Sequence, residues 1–256
     1  MKLKSIKLLS FLGLFAAELA TSYAAQIEEP LNLHTYPSVD ESPLKSIESH
    51  LHVGWDTRYV SEGRDNLDGD SLFALALEFG GEFIYGGIWY GFSPDQEYDE
   101  LQFSLGVKKT LGDFEGYVGW THLRNPFDNV HDNEIGAGVS YSGLPWQLST
   151  SLDTYYSITA EGSFWELSLA REFSISDDLS LSAMLIYGVN QGYISDGHTG
   201  GNHAAFRFEA AYSICADLAL HGHIDFSTPI NRNSTMEGDE LLRDTLHAGV
   251  ALEWSF

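Results

Sequence analysis

Residues 246–256 read Leu246-His247-Ala248-Gly249-Val250-Ala251-Leu252-Glu253-Trp254-Ser255-Phe256. Even positions are all apolar, while the odd ones are His, Gly, Ala, Glu and Ser. Side chains of an extended chain alternate between two faces, so this period of two describes a strand with one greasy face and one polar face. The alternation runs to the last residue, which places Phe256 on the strand and not in a loop.

The same period recurs upstream. Leu51, Val53, Trp55, Thr57 and Tyr59 alternate with His52, Gly54, Asp56 and Arg58, and Phe73, Leu75, Leu77 and Phe79 alternate with Ala74, Ala76 and Glu78. Leu101, Phe103, Leu105 and Val107 stand against Glu100, Gln102, Ser104 and Lys108. Further apolar faces are Phe114, Val118 and Trp120, then Ile135, Ala137, Val139 and Tyr141, then Trp146, Leu148, Thr150, Leu152 and Tyr156. Four more strands are expected over 163–173, 179–190, 203–213 and 218–228, and the last over 244–256. Residues 82–92 carry aromatics on both faces, so periodicity leaves their orientation open. With that segment the expected strands number twelve.

Soluble β-sandwiches alternate as well, and the connections separate the two cases. They run long, short, long, short: 61–70, 80–81, 93–98, 109–112, 123–132, 142–145, and on through 157–162, 174–178, 191–202, 214–217 and 229–243. Short periplasmic turns, longer external loops and an even strand number define outer-membrane barrels. Aromatics fall near both ends of the strands, with Phe79, Tyr141, Trp146, Phe173, Tyr212 and Trp254 toward the short turns. Tyr59, Trp120, Tyr156, Trp165, Tyr187 and Phe226 lie toward the long loops, as interfacial anchoring requires. The expected fold is all-β, a transmembrane antiparallel up-and-down β-barrel over residues 50–256.

The chain has 256 residues and a formal charge of −24. Lys2, Lys4 and Lys7 precede the apolar run Leu8–Ala17 and the small-residue site Ser22-Tyr23-Ala24, which is the order of a signal peptide over residues 1–24. Residues 25–49, with Pro30, Pro37 and Pro43, read as a periplasmic extension or an inserted plug. Without residues 1–24 there remain 10 basic and 36 acidic side chains, a balance that excludes nucleic acid as a partner. Expected partners are outer-membrane lipid and lipopolysaccharide, the barrel assembly machinery and small solutes. Cys215, the single cysteine, forms no intrachain disulfide, and no cofactor is expected.

If the apolar faces meet lipid, the alternate positions face a lumen. They include Asp56, Glu78, Glu100, Glu115, Glu134, Asp153, Glu166, Glu172, Glu209, Asp225 and Glu253, against Arg58, Lys108 and Arg207. Rings of carboxylates favour cations or neutral solutes over anions, so the expected activity is a porin-like channel with an acidic lumen. Structural ion pairing is the competing reading for Arg58 and Arg207, and a non-conducting barrel the competing function. Inward His203, His221, His223 and His247 lie among Glu209 and Asp225. Counting across the turns places Asp225 near His247, and His223 near Arg207 and Glu209; a nearby arginine disfavours a cation, so His223, His247 and Asp225 are only weak metal candidates. No nucleophile elbow is present, which leaves an enzyme acting on lipids as the remoter alternative. The acidic segment Glu62–Asp70 lacks calcium-loop spacing and reads as a solvated external loop bridged to lipopolysaccharide by divalent ions.

Two resemblances accompany this reading. Val250, Leu252, Trp254 and Phe256 resemble the terminal signal by which the outer-membrane assembly machinery recognises its clients. Tyr59-Val60-Ser61-Glu62-Gly63-Arg64, followed by a Gly/Asp-rich loop and by Tyr85-Gly86-Gly87-Ile88-Trp89, resembles the TorF-type family of small porins, loosely over residues 50–256. Members of that family usually carry arginine before the loop glycine, where this chain has Glu62 before it and Arg64 after. The resemblance implies a barrel and a channel, and no catalytic residues.

Overall fold

The computed structural model describes residues 47–256. The expected signal peptide, and the expected extension as far as residue 46, lie outside the described residues. Chain order gives β1 (Glu48–Asp56), a small hairpin of β2 (Val60–Ser61) and β3 (Arg64–Asp65), then β4 (Leu72–Gly80), β5 (Ile84–Phe92), β6 (Asp99–Leu111) and β7 (Phe114–Asn125). It continues with β8 (Val130–Leu144), β9 (Leu148–Ser157), β10 (Gly162–Ser174), β11 (Leu179–Gln191), β12 (Gly200–Cys215), β13 (Leu218–Pro229) and β14 (Thr245–Ser255). All but β2 and β3 form one closed antiparallel barrel in which each strand pairs with its sequence neighbours. Closure is made by β1 against β14, with His50 opposite Ser255 and Trp55 opposite Val250.

Closure satisfies every ladder edge, which is what allows strands to cross a bilayer. The outer face supplies the other requirement. Val53, Leu75, Leu105, Ile135, Leu167, Leu185, Phe206, Ile224, Val250 and Leu252 are all exposed, Leu105 by 54%. A continuous apolar belt of this size is not stable in water and is the lipid-facing surface of an outer-membrane barrel.

The ambiguous strand β5 is oriented by its neighbours. Ile84, Ile88 and Phe92 face out, and Tyr85 and Trp89 are buried inside. Glycines opposite make the room: a Cβ on Gly106 would lie 2.4 Å from the Tyr85 ring, and one on Gly119 2.4 Å from its hydroxyl. Strand ends also shift. β7 and β8 extend their ladder to Asn125 opposite Val130, shortening the external connection expected over 123–132. β9 begins at Leu148, leaving Trp146 in a tight turn at positive φ.

Face assignment is directly testable. Spin labels at Leu101, Phe103 and Leu105 should report lipid, and labels at Gln102 and Ser104 a polar interior. One environment for both sets would mean a register slip, which exchanges every side chain between faces.

Candidate functional site

The candidate site is the lumen. Glu100, Glu134, Asp153, Glu166, Arg207 and Asp225 are buried on its wall, as is Glu78. Toward the short turns the wall is more open: Lys108, Glu115, Glu209 and Glu253 are intermediate and Glu172 is exposed, while Asp56, at the external end of β1, is also intermediate. Asp132, which the periodicity did not single out, joins the buried acids.

Few bases face these acids, and tyrosines take their place. Tyr193 donates to Glu134 Oε1 at 2.5 Å, Tyr117 to Asp153 Oδ1 at 2.8 Å, and Tyr98 and Tyr59 to Glu100 Oε2 at 2.5 and 3.3 Å. Ser151 and Gln102 add hydrogen bonds to Asp153 and Glu100. A phenol hydrogen bonds a carboxyl oxygen without supplying a counter-charge, so acidic side chains outnumber basic ones along the wall. The exceptions cluster on β12, where Arg207 Nε meets Asp225 Oδ1 at 2.5 Å and Nη1 meets Glu209 Oε1 at 3.5 Å.

Above the wall, three external connections fold inward. The β2–β3 hairpin turns through Glu62 and Gly63, both at positive φ, a two-residue turn of the type that suits hairpin twist. Gly63 is required for a second reason: a Cβ there would sit 2.6 Å from His203 Cβ. Arg64 is fully buried and ties the three loops together. Its Nε donates to Gly238 O at 2.8 Å, its Nη1 to Glu62 O at 3.0 Å and Asn202 Oδ1 at 2.8 Å, and its Nη2 to Asp239 Oδ1 at 3.2 Å. Asp239 in turn lies 2.6 Å from His198 Nδ1 and accepts from the Asn233 N–H at 2.8 Å. Tyr193 and Ile194 pack on Tyr155 and Phe164. The extracellular end of the lumen is therefore filled by the chain's own loops.

Three expectations are corrected here. β1 ends at Asp56, so Arg58 and Tyr59 do not continue its faces. Tyr59 is buried inside against Trp89 and Tyr98, not on the outer rim, and Arg58 pairs with Asp65 at the loop base instead of lining the strand wall. Once a chain leaves the ladder, parity no longer decides direction. The segment Glu62–Asp70 is likewise not a solvated loop, since Glu62 to Asp65 are all buried and only Asp68 and Gly69 are exposed.

The histidines also fall into place. Asp225 pairs with His247, and His223 with Glu209, as counted across the turns, while Arg207 stands opposite Asp225. His223, Asp225 and His247 bring one potential ligand atom each within 4.8 Å of one another. Nearer the short turns Glu253 lies 3.0 Å from His50 and 3.1 Å from His221. Periodicity missed Arg64, Tyr193, His198 and Asp239, because inward loops carry no period, and it missed Asn202 because the start of β12 falls within the connection expected over 191–202. The Glu62-Gly63 turn flanked by Ser61 and Arg64 was the one local signal available.

No family model matches the sequence, and no curated protein matches it. Solved structures do. A KdgM porin is similar at a TM-score of 0.57 and 9% identity, over 81% of this chain and 99% of that one. A NanC porin gives 0.51 at 9% identity, covering 80% and 98%, and the COG4313 outer membrane channel from Pseudomonas putida F1 gives 0.51 at 9%, covering 87% and 100%. At these identities the likeness is one of fold, that of outer-membrane porins and channels.

Proposed function

We propose that this barrel is a channel for small cationic or neutral solutes, closed at its extracellular end by the loops that Arg64 fastens. The observation carrying this reading is the inner wall, where acidic side chains far outnumber Lys108 and Arg207 and tyrosines supply hydrogen bonds but no counter-charge. Such a wall concentrates cations and repels anions. The fold shared with porins and the TorF-type resemblance support the same class of function. A KdgM porin has been solved in complex with oligogalacturonate; a polyanion of that kind would meet like charge along this wall.

Planar-bilayer recording under a KCl gradient tests the reading. Small, cation-preferring conductance is expected, and the preference should weaken when Glu115, Glu172 and Glu209 together become glutamine. Anion preference would overturn the assignment. Absence of current in both the native protein and an Arg64→Ala variant would instead establish a non-conducting structural barrel, the reading that the packed extracellular end favours.

A further inference from the structure

We infer that His223, Asp225 and His247, with Asp56 as a fourth ligand, form a binding site for a divalent transition-metal ion of the zinc type across the seam where the barrel closes. The four residues come from three adjacent strands. His223 and Asp225 lie on β13, His247 on β14 and Asp56 on β1, and β1–β14 is the closing pair. All four surround Gly249, which is opposite both Asp56 and His223 in the ladders. A Cβ on Gly249 would lie 2.0 Å from Asp56 Oδ1 and 2.5 Å from His223 Cε1, so the absent side chain is what lets these two groups meet.

The spacing fits tetrahedral coordination. Zinc bonds nitrogen and oxygen ligands at about 2.0–2.2 Å, which puts neighbouring donor atoms of a tetrahedron roughly 3.3–3.6 Å apart. His223 Nε2 lies 3.4 Å from Asp225 Oδ2, His247 Nε2 lies 3.6 Å from the same oxygen, and His223 Nε2 is 3.0 Å from Asp56 Oδ1. The two Asp225 spacings match the edges of such a tetrahedron and the Asp56 contact is shorter, so His223, Asp225 and His247 form the core of the site and Asp56 closes it from β1.

A second observation points to a ligand. Asp225 is 3% exposed, and its Oδ2 accepts no hydrogen bond. An orphaned carboxylate oxygen in a buried position forgoes a substantial interaction, and here it faces two imidazoles. His247 Nδ1, also buried, has no hydrogen-bond partner either.

Arg207 does not exclude the ion. Its Nε engages Oδ1 of Asp225 and leaves Oδ2 to the histidines, so the guanidinium orients the carboxylate as an outer-shell partner does. Local charge also balances. With neutral imidazoles, Asp56, Asp225 and Glu209 against Arg207 leave two negative charges, which one divalent cation neutralises. Among the described residues no other three His, Cys, Asp or Glu side chains bring one ligand atom each within 4.8 Å of one another.

The site does not depend on whether the lumen conducts, and binding is the readout. Native protein purified from outer membranes in detergent, stripped with chelator and titrated with Zn2+ alone should take up one ion per chain. Co2+ in its place should give the visible absorption of tetrahedral coordination. His223→Gln and His247→Gln should each weaken Zn2+ binding by at least about 100-fold, the upper end of what outer-shell losses do, while His221→Gln should leave it unchanged. Because the ligands bridge β13, β14 and β1, Zn2+ should also raise the native unfolding temperature and not that of the two ligand variants. Heat-dependent gel migration verifies that each variant is a folded barrel. A folded native protein that binds no Zn2+, or binding that survives both ligand substitutions, would overturn the site.

Discussion

Replacing Arg64 by alanine should open the extracellular end of the barrel. Its guanidinium is fully buried and contacts the β2–β3 hairpin through Glu62 O, the β12 end through Asn202, and the β13–β14 connection through Gly238 O and Asp239. Removing one partner of a buried ion pair costs about 3–5 kcal/mol, because the remaining charge is left uncompensated. The remaining charge is Asp239, fully buried but still held by His198 and the Asn233 N–H, so the loss should lie at the lower end of that range. Since about 1.4 kcal/mol is tenfold in an equilibrium constant, the closed arrangement should lose at least a hundredfold in population. Lysine should not restore it, because one ammonium cannot reproduce four contacts made by a planar fork. Single-channel recording should show larger and more frequent openings in Arg64→Ala, and protease added outside should cut within residues 57–71. Unchanged current and unchanged resistance to cleavage would show that the loops are held by other contacts.

Protonation should act on the same closure from two sides. Burial pushes the Glu62 carboxyl well above the usual carboxylate range, its Ser61 hydrogen bond works against this, and Glu166 and Glu134 add like charge. A carboxyl raised in the closed arrangement gives support that is complete below its ordinary 4.5 and is lost as pH rises through the raised folded value, so rising pH should loosen the hairpin. Asp239 behaves oppositely. Burial alone would raise it, but the Asn233 N–H and the His198 ring and N–H hold it below its ordinary 3.8. Its support is complete above that ordinary value and is lost as pH falls through the lower folded one. Openings should therefore be least frequent between these limits, and Glu62→Gln should remove the alkaline arm alone.

The second large effect is expected on the lipid face. Leu105 lies at the middle of β6, faces out, and stands opposite Trp120 and Gly86. Arginine at the bilayer midplane on this face costs about 2–4 kcal/mol, against roughly 0–1 near the interfaces. Leu105→Arg should thus lower barrel stability in lipid vesicles by about 2–4 kcal/mol, whereas Trp146→Arg in the exposed periplasmic turn should change it by about 1 kcal/mol or less. Equal losses at the two positions would contradict the depth assigned to β6.

The barrel itself was written in the sequence, because lipid on one side and a polar lumen on the other impose a separate residue chemistry on each face of every strand. Leu246 to Phe256 show this most plainly, and the same parity put Glu134, Asp153 and Asp225 inside and paired Asp225 with His247. Parity failed at β5, where the inward Tyr85 and Trp89 are as apolar as the lipid-facing Ile84 and Ile88; only the glycines opposite, Gly106 and Gly119, decide which face has room. It also failed from Arg58 onward. Arg64, His198 and Asp239 meet from three separate loops, and no local period records such a meeting, since each loop's path is set by what the others leave unfilled. The four groups around Gly249 stand between these cases. Which wall they line follows from the alternation, but their convergence on one point needed the register of β13, β14 and β1, which the closing of the barrel alone fixes.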